Sequence, residues 1–224
     1  MNYHKIYYIL LSCVVMPLHA RKQSHVGEYC KRPQNLALAR DKVAAYYESH
    51  CYHEEVVELL QKATAHFKEK VSPNDKLLVV FDIDETILSE YWYLKGIQFG
   101  YVPELDHAWI MKGEIPAIPE VKKFYDFLLR QGYHIVFITG RRNHEYAATL
   151  KNFEREGIAG FDQLITRSPA DEKLSIGEYK RRKRMQLEKE GYTIVGCISD
   201  QKVDCEGCCA GYIMKLPNYV YLLT

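Results

Sequence analysis

The chain of 224 residues has almost no net charge, with 30 lysines and arginines against 29 aspartates and glutamates. That balance excludes a protein that works through a broad basic or acidic field, such as a non-specific nucleic-acid binder. Low-complexity tracts, a collagen-like period and internal repeats are all missing, and 47% apolar content is not that of a disordered chain. Beyond residue 20 no apolar run is long enough to span a bilayer, so no transmembrane segment is expected. Nor does any second pair of ligands at short spacing complete Cys205-Glu-Gly-Cys208-Cys209 as a structural zinc site. What remains is a length that suits one domain, with room for a small insertion and a sizeable core. The 18 tyrosines are scattered without a period.

Residues 1–20 have the layout of a cleavable export signal: Lys5, an apolar run from Ile6 to Met16, then Pro17 and the small Ala20. A buried N-terminal element is the alternative. Leu10-Leu11-Ser12-Cys13 loosely matches a lipid-attachment pattern, but Leu11 fits poorly and apolar residues continue past Cys13, so a lipid anchor ranks below plain cleavage. The expected location is periplasmic or secreted. Export leaves Cys30, Cys51, Cys197, Cys205, Cys208 and Cys209, which suits disulfides, although the sequence does not choose a pairing. Cys197 sits in an apolar strand pattern and reads as core.

Apolar residues recur at helical steps between Gln34 and Lys70 (Val56, Leu60, Ala63, Phe67), which predicts a helical extension over residues 21–75. Three continuous apolar runs follow, Leu77–Phe81, His134–Thr139 and Tyr192–Ile198. This is the pattern of parallel strands buried on both faces. Gln163–Thr166 is a weaker fourth, and the tail from Gly211 to Leu223 offers a last strand or two. Helical patterns separate them: one carries Val121, Phe124 and Leu128, one covers Asn143–Glu156, and one is opened by a capping box at Ser175–Glu178 and runs to Glu190. Alternation of this kind predicts an α/β fold with a parallel sheet over 76–224. The aromatic, Gly- and Pro-punctuated stretch at 88–118 emerges at the carboxyl edge of the sheet, where such folds bind ligands, and reads as a small cap.

Chemistry concentrates at strand ends. Asp82 and Asp84 follow the first strand, and carboxylates two residues apart in an extended chain project to one side, where their repulsion calls for a cation or a shared proton. Taken alone, D-x-D is also a common polar junction. The second strand ends in Thr139-Gly140-Arg141, a hydroxyl and backbone N–H groups suited to an anion. Lys180 lies near the start of the Ser175 helix. The third long strand ends in Ser199-Asp200, with Asp204 four residues on.

That order resembles the haloacid dehalogenase (HAD) superfamily of phosphohydrolases. The closer resemblance is to the branch of class C bacterial acid phosphatases, plant acid phosphatases and vegetative storage proteins. It rests on FDIDETILS, Asp106-His-Ala-Trp109, ITGRR, the spacing from Tyr179-Lys180 to GYTIVG, and KLPNYVY, and covers about residues 35–224. The resemblance implies a Rossmann-like three-layer sandwich with a small cap after the first strand. It also implies a Mg²⁺-dependent phosphomonoesterase in which Asp82 is the nucleophile and Asp84 the general acid and base. Asp82, the backbone carbonyl of Asp84 and Asp200 would hold Mg²⁺, and Thr139, Gly140 and Lys180 would hold the phosphoryl group. Ser199 departs from the pattern, which usually has Gly there.

Asp204, Arg141, Lys183, Tyr91 and Trp92 are further candidates, Lys183 as an alternative phosphate partner and the aromatics as stacking surfaces or cap core. The run Lys180–Arg184 reads as a solvated helix face with one recruited lysine, and His107 and His144 as exposed polar positions. Substrates would be small phosphomonoesters: nucleotides, sugar phosphates or aryl phosphates. A non-catalytic storage protein and a phosphotransferase remain as alternatives. Neither the physiological substrate nor the oligomeric state can be read from the chain.

Overall fold

The apolar runs build the centre of the molecule. A computed structural model describes residues 34–223; the expected export signal, Cys13 and Cys30 lie outside the described residues. Strands β1 (Leu77–Phe81), β2 (His134–Arg142), β3 (Gln163–Arg167), β4 (Thr193–Ser199) and β5 (Tyr212–Lys215) form one parallel sheet in the order β3-β2-β1-β4-β5. β1 is therefore central, and its residues alternate between two cores. Val79 and Phe81, beside Ile135 and Phe137, face one core; Leu78 and Val80, beside Val136 and Ile138, face the other.

Helices cover both faces, as the α/β expectation required. The first core takes Val56, Leu60 and Ala63 from α2 (His50–His66), and Phe67 just beyond it. The same core takes Phe124 and Leu128 from α5 (Pro119–Gln131) and Phe153 from α6 (Tyr146–Glu156). The second core takes Tyr179 and Leu187 from α7 (Ile176–Lys189). The continuous helical pattern of the N-terminal segment is in fact two helices, α1 (Leu36–Glu48) and α2. Ser49 leaves the helical conformation to cap α2, its hydroxyl accepting from the Cys51 amide.

The segment after β1 carries two short helices, α3 (Tyr91–Gly96) and α4 (Pro103–Lys112). α4 starts with Pro103 in its first turn and stops at Gly113 in a left-handed conformation (φ 63°). Tyr93 of α3 and Trp109 of α4 stack on each other, ring centroids 5.2 Å apart and nearly parallel, and tie the two helices together. β5 meets β4 only because residue 211 is glycine: its φ is 61°, and a Cβ there would lie 2.2 Å from the Val195 carbonyl carbon. Among the described residues no helix is long and apolar enough to cross a membrane.

Candidate active site

β1 ends at Phe81, and the Asp82 amide makes one last strand-like bond to the Ile198 carbonyl (2.9 Å). The chain then turns tightly: the amides of Thr86, Ile87 and Leu88 all bond to the Ile83 carbonyl, and Glu85 adopts a φ of 50°. This turn separates two carboxylates that an extended chain would have kept on one side. Asp82 points inward to Lys180 Nζ (2.7 Å). Asp84 points to Arg141, whose Nη2 donates to Oδ1 at 2.6 Å while Nε donates to both oxygens at 3.1 and 3.2 Å.

Around Asp82 the side chains are almost completely buried. Lys180 also donates to Asp204 Oδ2 (2.6 Å), as does the Ser199 hydroxyl (2.6 Å), which in turn accepts from the Gln201 amide. Asp200 is held by Gln201 Nε2 (2.7 Å), Asn218 Nδ2 (2.6 Å) and Thr86. Burial pushes the Asp82 carboxyl well above the usual carboxylate range, with Lys180 opposing and Asp204 and Asp200 adding to the rise. Asp200 is raised by burial too, against its amide donors. Burial disfavours the Lys180 ammonium, but Asp82 and Asp204 outweigh it and keep the lysine charged.

Carboxylate oxygens of Asp82, Asp200 and Asp204 come within 4.8 Å of one another, and Asp204 Oδ1 is buried with no hydrogen-bond partner. Three crowded carboxylates, two of them resisting ionisation and one with an orphan oxygen, form a donor set that fits a hard divalent cation. Thr139 is buried within β2, three residues before its end, its hydroxyl accepting from the Arg141 amide (3.2 Å), and Gly140 lies on the surface of a cavity of about 500 Å³. The cavity is bounded by Asp84, Arg141, cap residues Phe99, Tyr101 and Asp106, and the tail residue Tyr221.

The remaining candidates lie elsewhere. Lys183 pairs with Asp171 (3.3 Å) over the Tyr179 ring. Tyr91 donates to Glu48 (2.5 Å) and stacks on Tyr47, and Trp92 is 65% exposed; neither borders the cavity. Cys197 is buried in β4 against Cys205, while Cys51 and Cys208 are exposed.

Several residues of this site were not singled out by sequence. Arg184 is fully buried and donates to the carbonyls of Asp204 and Glu206, one helical turn after Lys180; that spacing was the available signal. Asn218 lies inside the KLPNYVY motif but was given no role there, and Gln201 gave no local signal. Glu85 is buried, and burial, with Asp200 and Asp84 adding, raises its carboxyl to about 8.

Residues 11–223 match the family model described as HAD superfamily, subfamily IIIB (acid phosphatase). Among curated relatives, the stem 28 kDa glycoprotein of Glycine max is 36% identical over 160 residues, 69% of this chain and 62% of that one. Acid phosphatase 1 of Solanum lycopersicum is 32% identical, over 64% of this chain and 58% of that one. Vegetative storage protein 1 of Arabidopsis thaliana is 34% identical, over 66% and 56%. The chain thus spans roughly three fifths of these relatives' lengths. A solved class C acid phosphatase from Bacillus anthracis shares the fold, with a TM-score of 0.66, 20% identity and coverage of 84% of this chain and 85% of that one. With a family model that takes in nearly the whole chain, the protein belongs to the HAD superfamily, subfamily IIIB.

Proposed function

We propose that this protein is an exported, Mg²⁺-dependent acid phosphatase acting on small phosphomonoesters. One observation carries the reading: buried Asp82 lies at the carboxyl end of the central strand with Lys180 2.7 Å away, while Asp84 two residues on faces an open cavity. In the first half-reaction Asp82 Oδ attacks phosphorus, the bond to the leaving oxygen breaks, and Asp84 gives that oxygen a proton. In the second, water attacks the aspartyl-phosphate, Asp84 takes its proton, and the Asp82–phosphorus bond breaks to release phosphate. Lys180, Thr139, Gly140 and the backbone N–H groups beside them hold the phosphoryl oxygens.

Arg141 keeps Asp84 aimed at the cavity. Burial lifts the Arg141 guanidinium's demand for a partner, and Asp84 meets it. Asp82, Asp200 and the Asp84 carbonyl would hold magnesium, with Asp204 beside them; the ion would neutralise charge on the nucleophile and the phosphoryl group. Export rests on the pattern of residues 1–20 alone.

The test is release of nitrophenol from p-nitrophenyl phosphate by the mature protein, with Mg²⁺ and with EDTA, across pH 4 to 8. Metal-dependent release that disappears in a folded Asp82→Asn variant is the expected result, because the amide is nearly isosteric and a poor nucleophile. No release from folded protein under any condition would favour a storage protein on the same fold. Phosphoryl transfer to an added alcohol in place of water would identify a phosphotransferase.

A further inference from the structure

Outside the carboxylate centre, the rim of the cavity carries a second group of metal-ligating atoms. His107 belongs to α4 of the cap, and His144 and Glu145 to the short 3₁₀ turn Asn143–Glu145 that follows β2. Ligand atoms of all three lie within 4.8 Å of one another. His107 Nδ1 is 2.8 Å from Glu145 Oε1 and His144 Nε2 is 3.9 Å from the same oxygen, while the two rings meet edge to face with centroids 4.8 Å apart.

Glu145 is buried, and its other oxygen accepts from the Arg142 amide (2.7 Å), which fixes the carboxylate with Oε1 turned to the imidazoles. The histidine side chains are 40% and 56% exposed, so an ion from solvent can reach them. Zinc with tetrahedral bonds of about 2.0–2.1 Å sets its ligand atoms about 3.3 Å apart. The two separations measured to Glu145 Oε1 fall either side of that value, so small side-chain rotations suffice.

We propose that His107, His144 and Glu145 form a binding site for a borderline transition-metal ion, Zn²⁺ or Cu²⁺, that fastens the cap to the core. Two imidazole nitrogens and one carboxylate are the ligand set such ions prefer, and a poor one for magnesium, so the two centres select different metals. Water takes the fourth position. An ion here cross-links α4 to the turn after β2, and Arg141 and Arg142, the last two residues of β2, border the same cavity. Occupancy therefore restrains the cap where substrate would enter.

The experiment titrates the full chain with Cu²⁺ and reads electron paramagnetic resonance, which reports nitrogen ligation whether or not the protein has phosphatase activity. Two imidazole nitrogens on the first equivalent, undisturbed by excess Mg²⁺, are expected. The double variant His107→Ala/His144→Ala, shown by circular dichroism to be folded, should lose that signature. Its Zn²⁺ affinity by calorimetry should fall by at least the roughly tenfold to hundredfold that even an outer-shell partner is worth. A nitrogen pattern that persists in the double variant, a first equivalent bound only by oxygen, or displacement by Mg²⁺ would overturn the proposal. Since other histidines, such as His50, His53 and His66, could also bind copper, the double variant decides where the nitrogens come from.

Discussion

Lys180 holds two buried carboxylates at once, Asp82 at 2.7 Å and Asp204 at 2.6 Å. Removing one partner from a buried ionic group costs about 3–5 kcal/mol, because the survivors keep their burial and lose their compensation. Lys180→Met is expected to lower the denaturation free energy of metal-free protein by that order, with added Mg²⁺ restoring part of it. An unchanged midpoint in urea would mean the carboxylates do not depend on the lysine. Ser199 is a smaller case. Where the family pattern has glycine, this chain has a hydroxyl that donates to Asp204 and accepts from the Gln201 amide. Ser199→Gly should cost about 1–3 kcal/mol, the value of leaving buried polar partners unmatched, measured by the same denaturation.

At the scale of elements, α7 does two jobs from one face. Lys180 and Arg184 are four residues apart, and while Lys180 grips the Asp204 carboxylate, Arg184 donates to the backbone carbonyls of Asp204, Glu206 (2.5 Å) and Cys208 (3.4 Å). Arg184→Met keeps the length and removes the donors, so amides of residues 202–208 should exchange with deuterium faster while β1 stays protected. Equal protection in both proteins would show that other contacts hold the turn. The run 180–184 reads in sequence as a solvated face, and half of it is: Arg181 and Arg182 pair with Glu178 at the surface. A charged run conceals its inward positions, since composition does not mark which side of a helix is buried. β1, β2 and β4 were legible because burial on both faces forbids polar residues. β3 is buried only in part and was correspondingly faint. The break at Ser49 was missed because one polar residue hardly disturbs a helical period.

For the whole molecule, the balance of buried carboxyls sets a pH dependence. Glu85 is raised to about 8, and Glu90 well above the carboxylate range, each chiefly by burial. A carboxyl whose folded value exceeds its unfolded one leaves the folded state holding the extra proton, so stability falls as pH rises from about 4.5 towards 8. Lys180 stays charged throughout that window and contributes no slope. Metal-free protein in EDTA is therefore expected to melt higher at pH 5 than at pH 8, and Glu85→Gln should narrow the gap. A melting point that rises with pH would contradict this. The site was legible to the extent that its chemistry lies at strand ends, as with Asp82, Thr139 and Asp200. The pairing of Asp84 with Arg141 and of His107 with Glu145 was not, because each joins segments that only the folded sheet and cap bring together.

The central position of β1 has a further consequence. Asp82 meets Lys180 only where β1, β4 beside it and α7 across the second core are all in place. Without that assembly the chain would carry the proposed nucleophile but no cradle for an anion. On the proposed mechanism a polypeptide still unfolded would be chemically inert towards phosphate esters. The proposed activity would then belong to the assembled sheet and to no single segment of the chain.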